Sequence, residues 1–322
     1  MMDLSGKVTK LDEHPFQFGD TSDLYRGTLD GTGSVVVKVL RGVSSIPRER
    51  ELVMQRVTEL LEMWSKVQDK YAHRNLCTFY GYVEGWGQLR SPVIPYFKNG
   101  NAIKYVKDHP EANHTALLID IAAGLQWLHA HSIVHGNLKG SNVLVRDDGV
   151  ACLSDIQLSS VTSTTQFTTA GIAGGARHIA PEIMNPSDDD EEEEDDTAKH
   201  TQESDIYSFA MTALEVLTGQ PPFSSTKLDS VVISKVVKGI RPERPEVLQS
   251  NDVLWKLLQR CWDQDPRVRP SMTEVVNTLS PAHGGIMAYV APLRERFRKS
   301  LALVVGHLRK GFLWIFPRRR RD

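Results

Sequence analysis

The sequence predicts an α+β chain, with strands gathered early and helices late. Three observations predict it. Ser34-Val35-Val36-Val37-Lys38-Val39-Leu40 is a β-branched run of strand length. Residues 47–70 place Leu52, Val53, Val57, Leu60, Leu61 and Trp64 at helical spacing. Residues 113–131 do the same with Leu117, Leu118, Ile121, Leu125 and Leu128.

The bulk numbers bound the rest. A length of 322 residues suffices for one large domain or two medium ones. Hydrophobic content of 40% and charged content of 24% are ordinary for a soluble globular protein. Cys77, Cys152 and Cys261 are far apart in sequence and offer neither metal-ligand spacing nor a disulfide framework, which fits a reducing compartment. Met1-Met2-Asp3-Leu4 reads as neither a signal peptide nor a myristoylation site, and no apolar run is long enough to span a bilayer. The formal net charge of −2 hides an asymmetry: residues 281–322 carry about +8 and the rest about −10.

In chain order, Phe16, Phe18, Leu24 and Tyr25 flank a turn at Gly19-Asp20-Thr21-Ser22. A second turn, Asp30-Gly31-Thr32-Gly33, leads into the β-branched strand. Lys38 is an odd guest there. Read alone, it is a surface lysine on the strand's outer face. After the helix at 113–131 comes a polar loop between apolar anchors, Ile133-Val134-His135-Gly136-Asn137-Leu138-Lys139-Gly140-Ser141-Asn142-Val143-Leu144-Val145. Asn137 and Asn142 stand five residues apart, and Asp155 follows the short apolar run Ala151-Cys152-Leu153. Ala180-Pro181-Glu182, Ser204-Asp205-Ile206-Tyr207-Ser208-Phe209-Ala210 and Cys261-Trp262-Asp263-Gln264-Asp265-Pro266-Arg267-Val268-Arg269-Pro270 complete the ordered series.

The series resembles the protein kinase family from about residue 16 to 280. The branch it looks most like is the tyrosine-kinase-like (TKL) group of Ser/Thr kinases, and Lys139 argues for the Ser/Thr type. The resemblance implies a bilobal fold, a small β-rich amino-terminal lobe and a larger helical carboxy-terminal lobe. It divides the chain into an extension at 1–15, the first lobe and hinge at 16–97, the second lobe at 98–280 and a tail at 281–322. ATP and Mg²⁺ are the implied cofactors. Lys38 would pair the ATP phosphates, and Asn142 and Asp155 would hold the metal. Gly19 matches the middle glycine of the phosphate loop, with Gln17 and Ser22 where the others stand. Val36, Ile94, Tyr96 and Phe97 would line the adenine pocket. The expected glutamate partner of Lys38 falls on Leu60, so Glu59 or Glu62 would serve if the helix shifts; both also read as solvated helix-face residues. His135 belongs to the loop's framework, Asp205 would hold the loop backbone from below, and Arg269 would pair with Glu182.

The departures matter as much. Asn137 stands where the family has the Asp that accepts the substrate hydroxyl's proton, and a carboxamide cannot take a proton near neutral pH. The same Asn reads equally as a turn residue bonded to local backbone. Gly136 replaces the Arg that gathers a phosphorylated activation segment, here the Ser/Thr-rich Ser159–Thr169. Ile156-Gln157 replaces Phe-Gly beside the metal Asp, and Gln lacks glycine's backbone freedom. The expectation is a pseudokinase with a signalling or scaffold role. The alternatives are an active Ser/Thr kinase and a recruiting module.

Between Glu182 and Asp205, Asp188–Asp196 is nine acidic residues in a row within an insert at 186–201. It reads as a disordered solvated loop, or as a docking strip for a basic partner or the protein's own tail. In the tail, Leu293, Phe297, Leu301, Val304, Leu308 and Phe312 share one helical arc, with Arg296, Arg298, Lys299, Arg309 and Lys310 on the other. Such a basic amphipathic helix over residues 292–321 suits an anionic membrane surface or a partner's groove. It also reads as a last helix docked on the second lobe, and nucleic acid is the weakest of these readings. The expected partners are ATP and other signalling proteins, in the cytoplasm, peripherally at a membrane, or in the nucleus.

Overall fold

The computed structural model describes residues 1–19, 21–41, 47–70, 72–158, 175–185 and 200–280. Asp20, the Ser/Thr-rich segment at 159–169, the acidic run and the basic tail lie outside them.

Six strands form an antiparallel sheet: β1 (Val8–Lys10), β2 (Gln17–Phe18), β3 (Ser22–Leu29), β4 (Gly33–Leu40), β5 (Gly81–Val83) and β6 (Ser91–Pro95). Their order is β1-β3-β4-β6-β5, with β2 pairing the start of β3. From Val35 onward every residue of β4 is buried, on both faces. That explains its unbroken apolar run and decides the placing of Lys38, which is 5% exposed rather than on an outer surface. The register sets Val36 against Ile94 and Lys38 against Leu24.

The amino-terminal residues differ from expectation, because they join the sheet. β1 pairs with β3, and Asp3 bridges Tyr82 in β5. The Leu4 amide donates to Tyr82 O at 2.8 Å, and the Leu4 side chain is buried. Gly81, at φ +145°, makes room for this arm: a Cβ there would lie 2.2 Å from Met2 O.

Helix α1 (Pro47–Lys70) buries Val53, Val57, Leu60, Leu61 and Trp64, spaced as one helical face, whereas Leu52 is exposed. The helical lobe follows: α2 (Ala102–Asp108), α3 (His114–Ala130), the hairpin β7 (Val143–Val145) and β8 (Ala151–Leu153), α4 (Pro181–Met184), α5 (Gln202–Thr218), α6 (Asp229–Val237), α7 (Asp252–Cys261) and α8 (Met272–Leu279). Asn113 caps α3 by accepting from the Ala116 amide. Thr201 and Ser204 cap α5 reciprocally, and Gly219 ends it in the left-handed conformation. α5 is the central post: Tyr207, Phe209, Ala210, Met211 and Ala213 have no exposed surface. No helix among the described residues is long and apolar enough to cross a membrane.

Candidate active site

The loop between α3 and β7 is held from beneath by Asp205. One carboxylate oxygen accepts from the His135 amide at 2.7 Å and the other from the Gly136 amide at 2.8 Å. Asp205 sits in the first turn of α5, where the helix dipole favours an anion. Sequence reasoning missed a third partner: His129 Nε2 lies 2.9 Å from the same carboxylate. Only the return of α5 beneath the end of α3 brings it there. Gly136, at φ +67°, occupies backbone space that favours glycine.

Within the loop, the Asn137 amide donates to His135 Nδ1 at 3.2 Å. Asn142 Nδ2 donates to Asn137 O at 2.7 Å. The Asn142 carbonyl accepts from Ser154, through its amide and its hydroxyl, each at 2.9 Å. These bonds carry the loop to Ser154, which follows β8 and precedes Asp155. There, Lys38 Nζ reaches both carboxylate oxygens of Asp155, at 2.6 and 2.7 Å, with both side chains largely buried. Four of the residues singled out from the sequence, Lys38, Asn137, Asn142 and Asp155, thus belong to one connected cluster drawn from both lobes.

The expected glutamate is a correction. Glu59 and Glu62 are exposed, Glu59 accepts from Gln55 at 2.8 Å, and neither pairs with Lys38. Leu60, the slot counted from Trp64, is buried. The helix has not shifted, because Val53, Val57, Leu60 and Leu61 fix its buried face. Its tie to the segment after β8 is Trp64, whose indole N–H donates to Ile156 O at 2.9 Å. An indole at helical spacing reads as core, so the sequence carried no signal for this role. Trp64, Phe79, Ile94, Cys77 and Ile156 border a cavity of about 210 Å³ behind Asp155. Cys77 and Cys152, distant in sequence, meet here. The hydrogen bond between them, then burial, pushes the Cys77 thiol well up, so it is no thiolate nucleophile.

Around the proposed adenine pocket, Val36 and Ile94 are buried, and Tyr96 and Phe97 are half-buried just beyond β6. The Tyr96 amide donates to Ser34 O at 3.2 Å, and Phe16 meets the Tyr96 ring edge-on. Gly19 closes the turn after β2 by donating to Ser22 O at 2.8 Å, and its carbonyl accepts from Arg41. Lys139 is buried beside the loop's short 3₁₀ turn, Gly140–Asn142. Arg269 and Glu182 meet as a two-bond fork, at 2.6 and 2.9 Å.

A model of the family described as protein tyrosine and serine/threonine kinase matches residues 14–279. The chain belongs to the protein kinase family. Within it, the kinase domain is 30% identical over 273 residues to a probable serine/threonine-protein kinase of Dictyostelium discoideum, covering 81% of this chain and 19% of that protein. It is 27% identical to serine/threonine-protein kinase STY17 of Arabidopsis thaliana, covering 81% of this chain and 42% of that protein. It is 26% identical to a probable L-type lectin-domain containing receptor kinase of the same plant, covering 92% and 44%. The chain therefore spans less than half the length of these relatives. β1 lies ahead of the matched kinase residues.

Two expected results arise from this geometry. Gln157 stands at φ +57°, left-handed space that costs a non-glycine residue about 1–2 kcal/mol. Gln157→Gly is expected to raise unfolding free energy by about 1 kcal/mol in urea, after glycine's own entropy cost. A lower value than wild type would show that the Gln side chain's contacts outweigh the backbone strain.

Burial holds the imidazoles of His135, His200 and His73 below their ordinary 6.5, and the Arg74 charge adds to the effect at His73. The unfolded chain therefore binds protons first as pH falls. Stability is full above pH 6.5 and declines as pH drops below it toward the folded values. Urea midpoints measured from pH 8 to 5 should fall across that window; a rise there would contradict the burial of these rings.

Proposed function

We propose that this kinase domain is a TKL-branch pseudokinase that binds ATP with Mg²⁺, transfers phosphate slowly, and serves signalling through protein partners. The observation that carries the reading is Asn137, whose carbonyl accepts from Asn142 in a loop that Ser154 ties to the strand leading to the Lys38–Asp155 pair. The donor set fits magnesium: the Asp155 carboxylate and the Asn142 side-chain oxygen are hard oxygen ligands, and the nucleotide's phosphates would complete the shell. Magnesium there supplies charge neutralisation at the phosphates. Lys38 orients the phosphates and holds Asp155 in the meantime. Asn137 can orient a substrate hydroxyl but leaves its proton unclaimed. Lys139 adds positive charge on the substrate side, as a Ser/Thr-type domain would use it.

Thermal unfolding of the purified chain with ATP tests the reading. At a hundredfold excess over Kd, binding adds about 2.7 kcal/mol, several degrees in Tm. The shift should appear with Mg²⁺ and vanish without it or in Lys38→Ala. No shift with the full complement would leave the kinase fold as a carrier only. A second reading, an active Ser/Thr protein kinase, is favoured by the Lys38–Asp155 contact and separated by phosphotransfer.

A further inference from the structure

We propose that residues 2–12 are a strap that fixes the edge of the proposed adenine pocket, with Asp12 and Arg26 as positioning residues acting on Tyr96. Its consequence for affinity rests on the nucleotide reading above; its contacts do not. The strap lies ahead of the matched kinase residues, which begin at 14. It bonds to two separate strands of the sheet. Its start exchanges two backbone bonds with β5: the Leu4 amide donates to Tyr82 O at 2.8 Å, and the Tyr82 amide donates to Met2 O at 3.1 Å. Ser5 Oγ then accepts from the Glu84 amide at 2.9 Å. Further on, β1 pairs with β3 from Val8 opposite Leu29 to Lys10 opposite Gly27.

Burial anchors the strap. Alternation along β4 turns Val35, Val37 and Val39 away from the face that carries Val36 and Lys38. Leu4 and Val8 are buried in one cluster with those three valines, so the strap covers this outer face. Gly27 permits the approach, since a Cβ there would lie 2.8 Å from the Val8 side chain. Lys10 adds a second hold. Its ammonium lies 4.0 Å from the Tyr25 ring centroid and 5.4 Å from that of Trp86.

The anchored strap brings Asp12 to Arg26. The Leu11 amide donates to Arg26 O at 3.0 Å. Arg26 Nε and Nη2 donate to the two Asp12 carboxylate oxygens as a fork, each at 2.8 Å. Arg26 stands opposite Val36, and Val36 opposite Ile94, so its side chain leaves the sheet on the adenine-pocket face. There its guanidinium hydrogen-bonds the Tyr96 side chain and lies 5.8 Å from the Phe16 ring centroid. Phe16 in turn meets Tyr96 edge-on at 6.1 Å. The Arg26 side chain is 46% exposed, and without the fork it would be free to leave the Tyr96 hydroxyl for water. Asp12 removes that freedom. Tyr96 is thus held at its amide by Ser34 O and at its ring by the strap.

Two measurements on the full chain test the strap: amide hydrogen exchange without nucleotide, and affinity for Mg²⁺–ATP. Asp12→Ala removes both fork acceptors and leaves Leu4, Val8 and β1 in place. It is expected to speed exchange in the peptide spanning 93–99, and to weaken Mg²⁺–ATP binding, each about two- to fivefold, the range for a solvent-screened pair. Tyr96→Phe removes only the hydroxyl and should do the same. Combined, the two substitutions should do no more than either alone, because both cut one chain of contacts. Fully additive effects would overturn the proposal, as would unchanged exchange at 93–99 in Asp12→Ala. Wild type that fails to bind Mg²⁺–ATP would remove the nucleotide reading, and the exchange cycle on the free chain would then decide the strap by itself.

Discussion

Asn137→Asp is expected to raise phosphotransfer onto a generic Ser/Thr protein substrate by about 10²–10⁴-fold, the usual worth of a positioned general base. At 1.36 kcal/mol per tenfold, that is about 3–5 kcal/mol off the barrier. The loop is already built for it. Asn137 contributes its amide to His135 and its carbonyl to Asn142, both backbone atoms that Asp would supply unchanged. The substitution changes one side-chain terminus from amide to carboxylate and leaves the loop's bonds in place. Initial rates for wild type, Asn137→Asp and the double variant with Lys38→Ala would decide. Wild-type turnover equal to that of Asn137→Asp would remove the pseudokinase reading. No gain, with Mg²⁺–ATP binding intact, would place the deficit in the worn phosphate loop around Gln17, Gly19 and Ser22.

Arg269→Ala is expected to cost about 3 kcal/mol of stability. Removing one partner of a buried ion pair typically costs about 3–5 kcal/mol. The lower end applies because Glu182 keeps 26% side-chain exposure while Arg269 has none. The guanidinium does more than pair with Glu182: it also donates to Glu203 O at 2.8 Å and Asp263 O at 3.0 Å, and lies over the Tyr207 ring. Its loss strands a carboxylate and two carbonyls. Arg269→Lys should recover part of this, because an ammonium can meet Glu182 but cannot span the fork. Urea unfolding of the three proteins measures it, and a loss below about 1 kcal/mol for Arg269→Ala would mean that water replaces the arginine with ease.

Much of the site was legible in the sequence because spacing survives substitution. The interval from Asn137 to Asn142, and the apolar run before Asp155, mark out the loop and the β7–β8 hairpin that Ser154 ties to Asn142. The helix read over 47–70 is Pro47–Lys70, and that over 113–131 is His114–Ala130. Apolar periodicity reports burial, and burial fixed both. Where the chain offered chemistry without periodicity, the reading divided. Lys38 in a β-branched run was a surface lysine or a site lysine until the sheet buried it on both faces. Glu59 and Glu62 were candidates because they flank the expected slot, yet the helix's buried face leaves both in solvent. Trp64 and His129 gave no signal, since each has an ordinary alternative as core or surface residue.

By itself the sequence determined the strand and helix order, the family, and an amide rather than a carboxylate at position 137, because these depend on residue type and local interval. Tertiary structure alone decided that Asp155, not a helix glutamate, neutralises Lys38, and that His129 meets Asp205 beneath the loop. The physical reason is distance: Lys38 and Asp155 are 117 residues apart along the chain and 2.6 Å apart in space. No local pattern encodes such a contact, which exists only once the two lobes have packed.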